Sequence, residues 1–143
     1  MKRQPVHIND PDRRQFIVSE VGARLVGLDI PLLIAVLDDH HLHGLAKCVD
    51  HRPKHWLGIA KKHASHMVRD LPDSPIGGLW AKGSKATPIE HRRHQIEVVY
   101  YLLEHVILGA ALWIAPALLP KLPAMLDIAR DRVERKRARR WKK

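Results

Sequence analysis

The sequence predicts an α+β fold built on an antiparallel sheet, and three observations carry that prediction. Ile30 to Leu37 is an almost unbroken apolar run, short for a helix and interrupted by Pro31. A run of this kind is how a strand buried on both faces reads. Several longer segments repeat apolar residues at helical spacing and open at a proline, the residue suited to a first helical turn. Taken together the elements run strand, helix, strand, strand, helix, strand, helix, which is the split βαβ, ferredoxin-like pattern.

Val6-His7-Ile8 reads as a short first strand. Asp10-Pro11-Asp12 opens a helix, with Asp10 as N-cap and Pro11 at the first helical position. Ile17, Val21, Leu25 and Leu28 form its apolar stripe, and Gly27 suits its end. The buried strand from Asp29 to Leu37 comes next, then the polar turn Asp38-Asp39-His40 and a second strand from His41 to Val49, so the two pair as a hairpin. Arg52-Pro53 starts the next helix, with Trp56, Ile59, Ala60, His63 and Met67 on one face. Leu71 to Gly83 is rich in Pro and Gly and reads as a loop. A short extended piece from Ser84 to Thr87 precedes Pro88, which starts a long helix striped by Ile89, Ile96, Val99, Leu103 and Val106. Beyond it the chain is interrupted by Pro116, Pro120 and Pro123, before a final basic helix. The expected division is therefore a domain over residues 1–110 and a Pro-interrupted helical extension with a basic tail over 111–143.

The chain has 143 residues, enough for one hydrophobic core, and its 45% apolar content excludes a disordered chain. Lys and Arg number 25 against 15 acids, a net charge of +10. Such an excess favours a polyanionic partner, nucleic acid before membrane. From Arg130 to Lys143 nine basic residues and two acids supply +7 of it. A tail of that charge either contacts phosphates without reading sequence or is a solvated helix end. The single cysteine, Cys48, excludes an internal disulfide and a Cys-paired zinc knuckle, and suits a reducing cytoplasm. No apolar signal segment follows the N-terminus. The longest uncharged apolar run, Val106 to Leu119, is short for a membrane span, and extending it back to Val98 takes in Glu104 and His105. A small membrane-anchored protein is the remaining alternative from that class.

Eleven histidines are many for this length. In a strand, side chains at i and i+2 share a face, so His41 and His43 point one way and Leu42 the other. Two such imidazoles make half of a divalent-metal site. On the long helix, Glu104 lies one turn after Tyr100 and on the same face. A tyrosine beside a polarised electrophile is a candidate covalent nucleophile, and a carboxylate is a hard ligand for Mg²⁺ or Mn²⁺. The bland alternative is a half-buried aromatic beside a solvated glutamate. The pairs His51/His55, His63/His66 and His91/His94 also share helical faces, and read best as surface histidines that contact DNA backbone. Trp80 and Trp56 are candidates for base stacking or, for Trp56, for the core.

From about Asp10 to Ala110 the chain resembles the single-tyrosine HUH transposases, especially the REP-associated tyrosine transposases. The turn and strand His40-His41-Leu42-His43-Gly44-Leu45 resembles the family's Asn-His-Val-His-Leu-Leu. The helix Pro53 to Asp70 stands where the family has one. Gly78 to Ile89, with Trp80, resembles Gly-x-x-Trp-x-x-Arg-(Tyr/Phe)-x-x-x-x-(Ile/Val). Tyr100-Tyr101-Leu102-Leu103-Glu104-His105-Val106-Ile107-Leu108-Gly109 resembles Tyr-Ile-x-x-Asn-Pro-Val-x-Ala-Gly.

The resemblance implies metal-dependent nicking and joining of single-stranded or hairpin DNA. His41, His43 and Glu104 would hold Mg²⁺ or Mn²⁺. Tyr100 would attack the scissile phosphate, leaving a 5′-phosphotyrosine link and a free 3′-hydroxyl, with Tyr101 as the adjacent candidate. Trp80, Lys82, Lys85, Arg92, Arg93, Arg135, Lys136, Arg137, Arg139 and Arg140 are the expected DNA contacts. It further implies a monomer or homodimer in the bacterial cytoplasm, associated with the nucleoid and not with membrane. The chain departs from the family where Glu104-His105 replaces Asn-Pro, where His40 replaces Asn, and in having little first strand. Those departures leave a relative that binds DNA without cutting it as the alternative.

Overall fold

The structure is a computed structural model that describes residues 10–39, 41–47, 52–69, 87–89 and 91–141. In chain order these form helix α1 (Pro11–Gly27), strands β1 (Leu32–Leu37) and β2 (Leu42–Ala46), helices α2 (Pro53–Arg69) and α3 (Arg92–Ile107), strand β3 (Ala111–Ile114), a 3-10 helix (Pro116–Lys121) and helix α4 (Leu122–Trp141). Among the described residues the class is α+β: four α-helices and a three-stranded antiparallel sheet of order β2-β1-β3. The expected strand at Val6–Ile8 lies outside the described residues, as do residues 84–86 of the extended piece; Thr87 is described and belongs to no strand.

Local chemistry sets the helix ends. Asp10 is the N-cap of α1 and its carboxylate accepts from the Asp12 N–H at 3.0 Å, with Pro11 at the first position. At the other end the Ile30 N–H donates to the Leu25 carbonyl and the Asp29 N–H to the Val26 carbonyl, both at 3.0 Å. This is a Schellman closure, and Asp29, not Gly27, takes the left-handed position, with φ 58°. Helix α3 closes in the same way: Ala110 N–H donates to the His105 carbonyl and Gly109 has φ 110°. Each closure turns the chain directly into a strand. Helix α3 begins at Arg92, later than the expected Pro88, because the His91 side chain accepts from the His94 N–H and supplies the cap.

β1 lies at the centre of the sheet, which is why its sequence is apolar throughout: Ile34, Val36 and Leu37 are fully buried. Leu32, Ala35 and Leu37 join α1 and α2 in one core, with Ile17, Val18, Val21, Leu25, Trp56 and Ala60. Ile34 and Val36 join α3 and α4 in a second core, with Val99, Leu102, Leu103 and Ala129. The molecule is thus helix pair, sheet, helix pair. Trp56 is a core residue of the first layer.

β3 was not expected as a strand. Its four residues pair with β1 from Leu37↔Ala111 to Ile34↔Ile114, and a segment so short shows no readable periodicity. Its outer edge is covered by Gln15, whose amide donates to the Leu112 carbonyl at 2.9 Å and accepts from the Leu112 N–H at 3.3 Å. A side-chain amide thereby pairs an edge that would otherwise invite another strand. The division expected at residue 110 falls in the turn before β3. The chain on its two sides is packed together, β3 in the sheet and α4 against α3. Val106 to Leu119 is divided among the end of α3, β3 and the 3-10 helix. Among the described residues no helix is long and apolar enough to cross a membrane.

Candidate functional site

The β1–β2 register places His43 opposite Val36, whose side chain faces α3 and α4, and Leu42 opposite Leu37, which faces α1 and α2. His41 and His43 share the α3 side, with ring centroids 6.0 Å apart. The His41 N–H donates to the Asp38 carboxylate at 2.7 Å, which ties the strand's entry to the turn. His43 stacks on His105 of α3, with centroids 5.2 Å apart and planes within 16°. The Tyr101 ring then meets His105 in a T-shaped contact, with centroids 4.9 Å apart and planes at 89°. Strand and helix therefore bring together a row of three imidazoles ending at a tyrosine that is half exposed. Nε2 of His105 is buried and has no hydrogen-bond partner among the described residues.

Burial holds the His43 imidazole below its ordinary range; His105 adds to this, Asp38 opposes it, and His41 adds a smaller push downward. His43 is therefore neutral at pH 7. Because the folded state binds this proton less readily than the unfolded chain, the associated stability is complete above about pH 6.5 and is lost as pH falls towards the lower folded value. The melting temperature is expected to drop between pH 7 and pH 5, and His43→Gln is expected to flatten part of that drop. An equally steep drop in the variant would assign it to other groups.

The remaining expected site residues are placed differently. Tyr100 is half-buried against the second core, and the Arg132 guanidinium lies 4.9 Å from its ring centroid. Arg132 is forked onto the Glu97 carboxylate at 3.0 and 3.2 Å. That contact holds the Glu97 carboxyl below its usual range and pushes the Arg132 guanidinium up. Glu104 is 6% exposed, and its carboxylate lies 2.6 Å from Lys136 Nζ. Its oxygen is thus committed to α4. Among the described residues no three His, Cys, Asp or Glu side chains are grouped to hold a metal ion. The donor chemistry of His41 and His43 fits such an ion in part, as two imidazoles on one strand face, His43 being neutral. Glu104 does not complete the set while it is paired with Lys136.

Of the expected DNA contacts, Arg92 and Arg93 stand exposed in the first turn of α3. Arg135 pairs with Asp131 at 3.0 Å, while Arg137, Arg139 and Arg140 are exposed at the end of α4. Trp80, Lys82 and Lys85 lie outside the described residues. His91 serves α3 as its N-cap, and His63 bonds Glu20 at 2.9 Å between α2 and α1, so these two have structural partners. His105 was missed as a site residue. The signal was present: it stands four residues after Tyr101, just as Glu104 stands four after Tyr100. No family model, no curated protein and no solved structure matches this chain.

Proposed function

We propose that the protein nicks and rejoins single-stranded DNA through a tyrosine of α3, on an α+β scaffold of ferredoxin-like type. The observation that carries this reading is the meeting of His43 of β2, with His41 just before the strand beside it, and the tyrosine helix, through His105 and Tyr101. The net charge of +10 suits the polyanionic substrate.

In the cleavage step a phenolic oxygen bonds to phosphorus as the bond to the 3′ oxygen breaks. The phenolic proton passes to water, and the leaving 3′ oxygen takes a proton from water and ends as a hydroxyl. The reverse step rejoins the strand without ATP, since the phosphotyrosine conserves the bond. His41 and His43 are the residues that would hold Mg²⁺ or Mn²⁺, whose charge would stabilise the phosphate. Glu104 would join them only by giving up Lys136. Between the tyrosines, Tyr100 has the motif position, and Tyr101 has the exposure and the imidazole beside it.

A labelled single-stranded hairpin DNA incubated with Mn²⁺ is expected to give a covalent protein–DNA adduct that survives denaturation. Tyr100→Phe and Tyr101→Phe, separately and together, identify the nucleophile. No adduct with the wild type, or an undiminished adduct in the double variant, would rule the mechanism out. A second reading, DNA binding without cleavage, is favoured by the engagement of Tyr100 by Arg132 and of Glu104 by Lys136. It requires salt-sensitive binding that neither EDTA nor the tyrosine variants change.

A further inference from the structure

We infer that the cleft between α3 and α4 is a phosphate site that seats one phosphodiester of single-stranded DNA against Tyr101, with Lys136, Arg137 and Arg140 as its cationic contacts. This rests on the DNA reading above and makes it specific to one place on the molecule.

The sequence builds the cleft from two facing stripes. On α4, Val133, Lys136, Arg137 and Arg140 recur at the spacing that puts residues on one helical face. On α3, Tyr101 and Glu104, with the C-cap Leu108, do the same across from them. In a helix pair such stripes normally interdigitate as an apolar seam. Here the seam is apolar where Val133 is buried and opens towards the end of α4 into a cleft of about 230 Å³. Three cations there face one carboxylate, so the cleft keeps two positive charges in excess, which suits a phosphodiester.

Three of the other cations on the same helix are held in ion pairs that the cleft arginines lack. Arg130 is paired with Asp127, Arg132 with Glu97, and Arg135 with Asp131. Arg137 and Arg140 have no acidic partner among the described residues, and both line the cleft. Lys136 has a partner, but one that positions it. Glu104 is buried in the wall, so the 2.6 Å ion pair draws the ammonium to the cleft and leaves its other N–H donors for a ligand. Glu104 is thus a positioning residue for Lys136. Tyr101, half exposed and set on His105, forms the neighbouring wall. An arginine fork and an ammonium beside an aromatic ring are the contacts used to hold a phosphate and the base or sugar next to it.

The test compares Arg137→Ala/Arg140→Ala with Arg135→Ala/Arg139→Ala. Both remove two charges from one exposed helix end, but only the first pair lines the cleft. Binding of a fluorescent single-stranded oligonucleotide is followed by anisotropy, with circular dichroism to show that both variants are folded. The cleft variant is expected to lose about tenfold or more in affinity and the control about threefold or less. An oligonucleotide carrying 5-iododeoxyuridine is expected to photo-crosslink to Tyr101 in the wild-type chain. Equal losses in the two variants, or a crosslink confined to residues away from the cleft, would overturn the site while leaving DNA binding itself intact. If the wild type binds no single-stranded DNA, yet inorganic phosphate raises its melting temperature and does so less in the cleft variant, the ligand is free phosphate and the phosphodiester assignment fails.

Discussion

Gly22→Ala is expected to destabilise the protein by about 2 kcal/mol, although alanine is the better helix former by about 1 kcal/mol. Gly22 is buried in α1, and a Cβ there would lie 2.4–2.6 Å from three atoms of the Trp113 indole. The indole is rigid and is held by β3, whose pairing with β1 sets Trp113 opposite Ala35. Relief requires that α1 or the sheet edge shift, and overpacking of this kind costs roughly 3 kcal/mol. The measurement is chemical denaturation of four proteins: wild type, Gly22→Ala, Trp113→Ala and the double variant. In the Trp113→Ala background the sign is expected to reverse, because the added methyl then meets space and only helix propensity remains. A loss of stability in both backgrounds would show that the indole is not what demands glycine.

Lys136→Met is expected to cost about 2 kcal/mol, and Glu104→Gln clearly less. Removing Lys136 leaves a carboxylate that is 6% exposed without its counter-ion. Uncompensated charges in fully buried pairs cost about 3–5 kcal/mol. The Lys136 side chain is 59% exposed, so water reaches this pair and the cost is correspondingly smaller. Glu104→Gln has the opposite consequence, since the freed ammonium can turn into solvent and the amide still offers an oxygen. The double variant Lys136→Met/Glu104→Leu is expected to recover most of the loss, having no charge to strand. A double-mutant cycle in urea measures this. Equal single-variant losses would mean that Glu104 has other access to water.

Much of the fold was legible because its causes are local. Asp10-Pro11 marks a helix start by side-chain capping and fixed φ, and the structure has both. The apolar run ending at Leu37 reads as a strand because both of its faces are covered, and β1 is indeed central. β3 and the start of α3 were not legible. The first is too short to show a period, and the second depends on a histidine acting as a cap, a role for which Ser, Thr, Asp and Asn are the usual residues. The candidate site divides along the same line. The i, i+2 rule put His41 and His43 on one face, which the β1–β2 register turns towards α3. The i, i+4 rule put Tyr100 with Glu104, and applies equally to Tyr101 with His105. Nothing local distinguishes those two pairs.

The His-Leu-His alternation, the tyrosine-bearing helix and the cationic chain end come from the sequence alone, because each depends on neighbours within a turn or a strand. The tertiary structure decided which partner each side chain meets. Arg132 reaches Tyr100, Lys136 reaches Glu104, and His43 reaches His105. All three contacts join segments distant in the chain, two through α4 and one between β2 and α3. Their choice depends on how the helices pack, which no local period encodes, and that choice makes Tyr101 and the cationic cleft, in place of Tyr100 and Glu104, the exposed chemistry of this face.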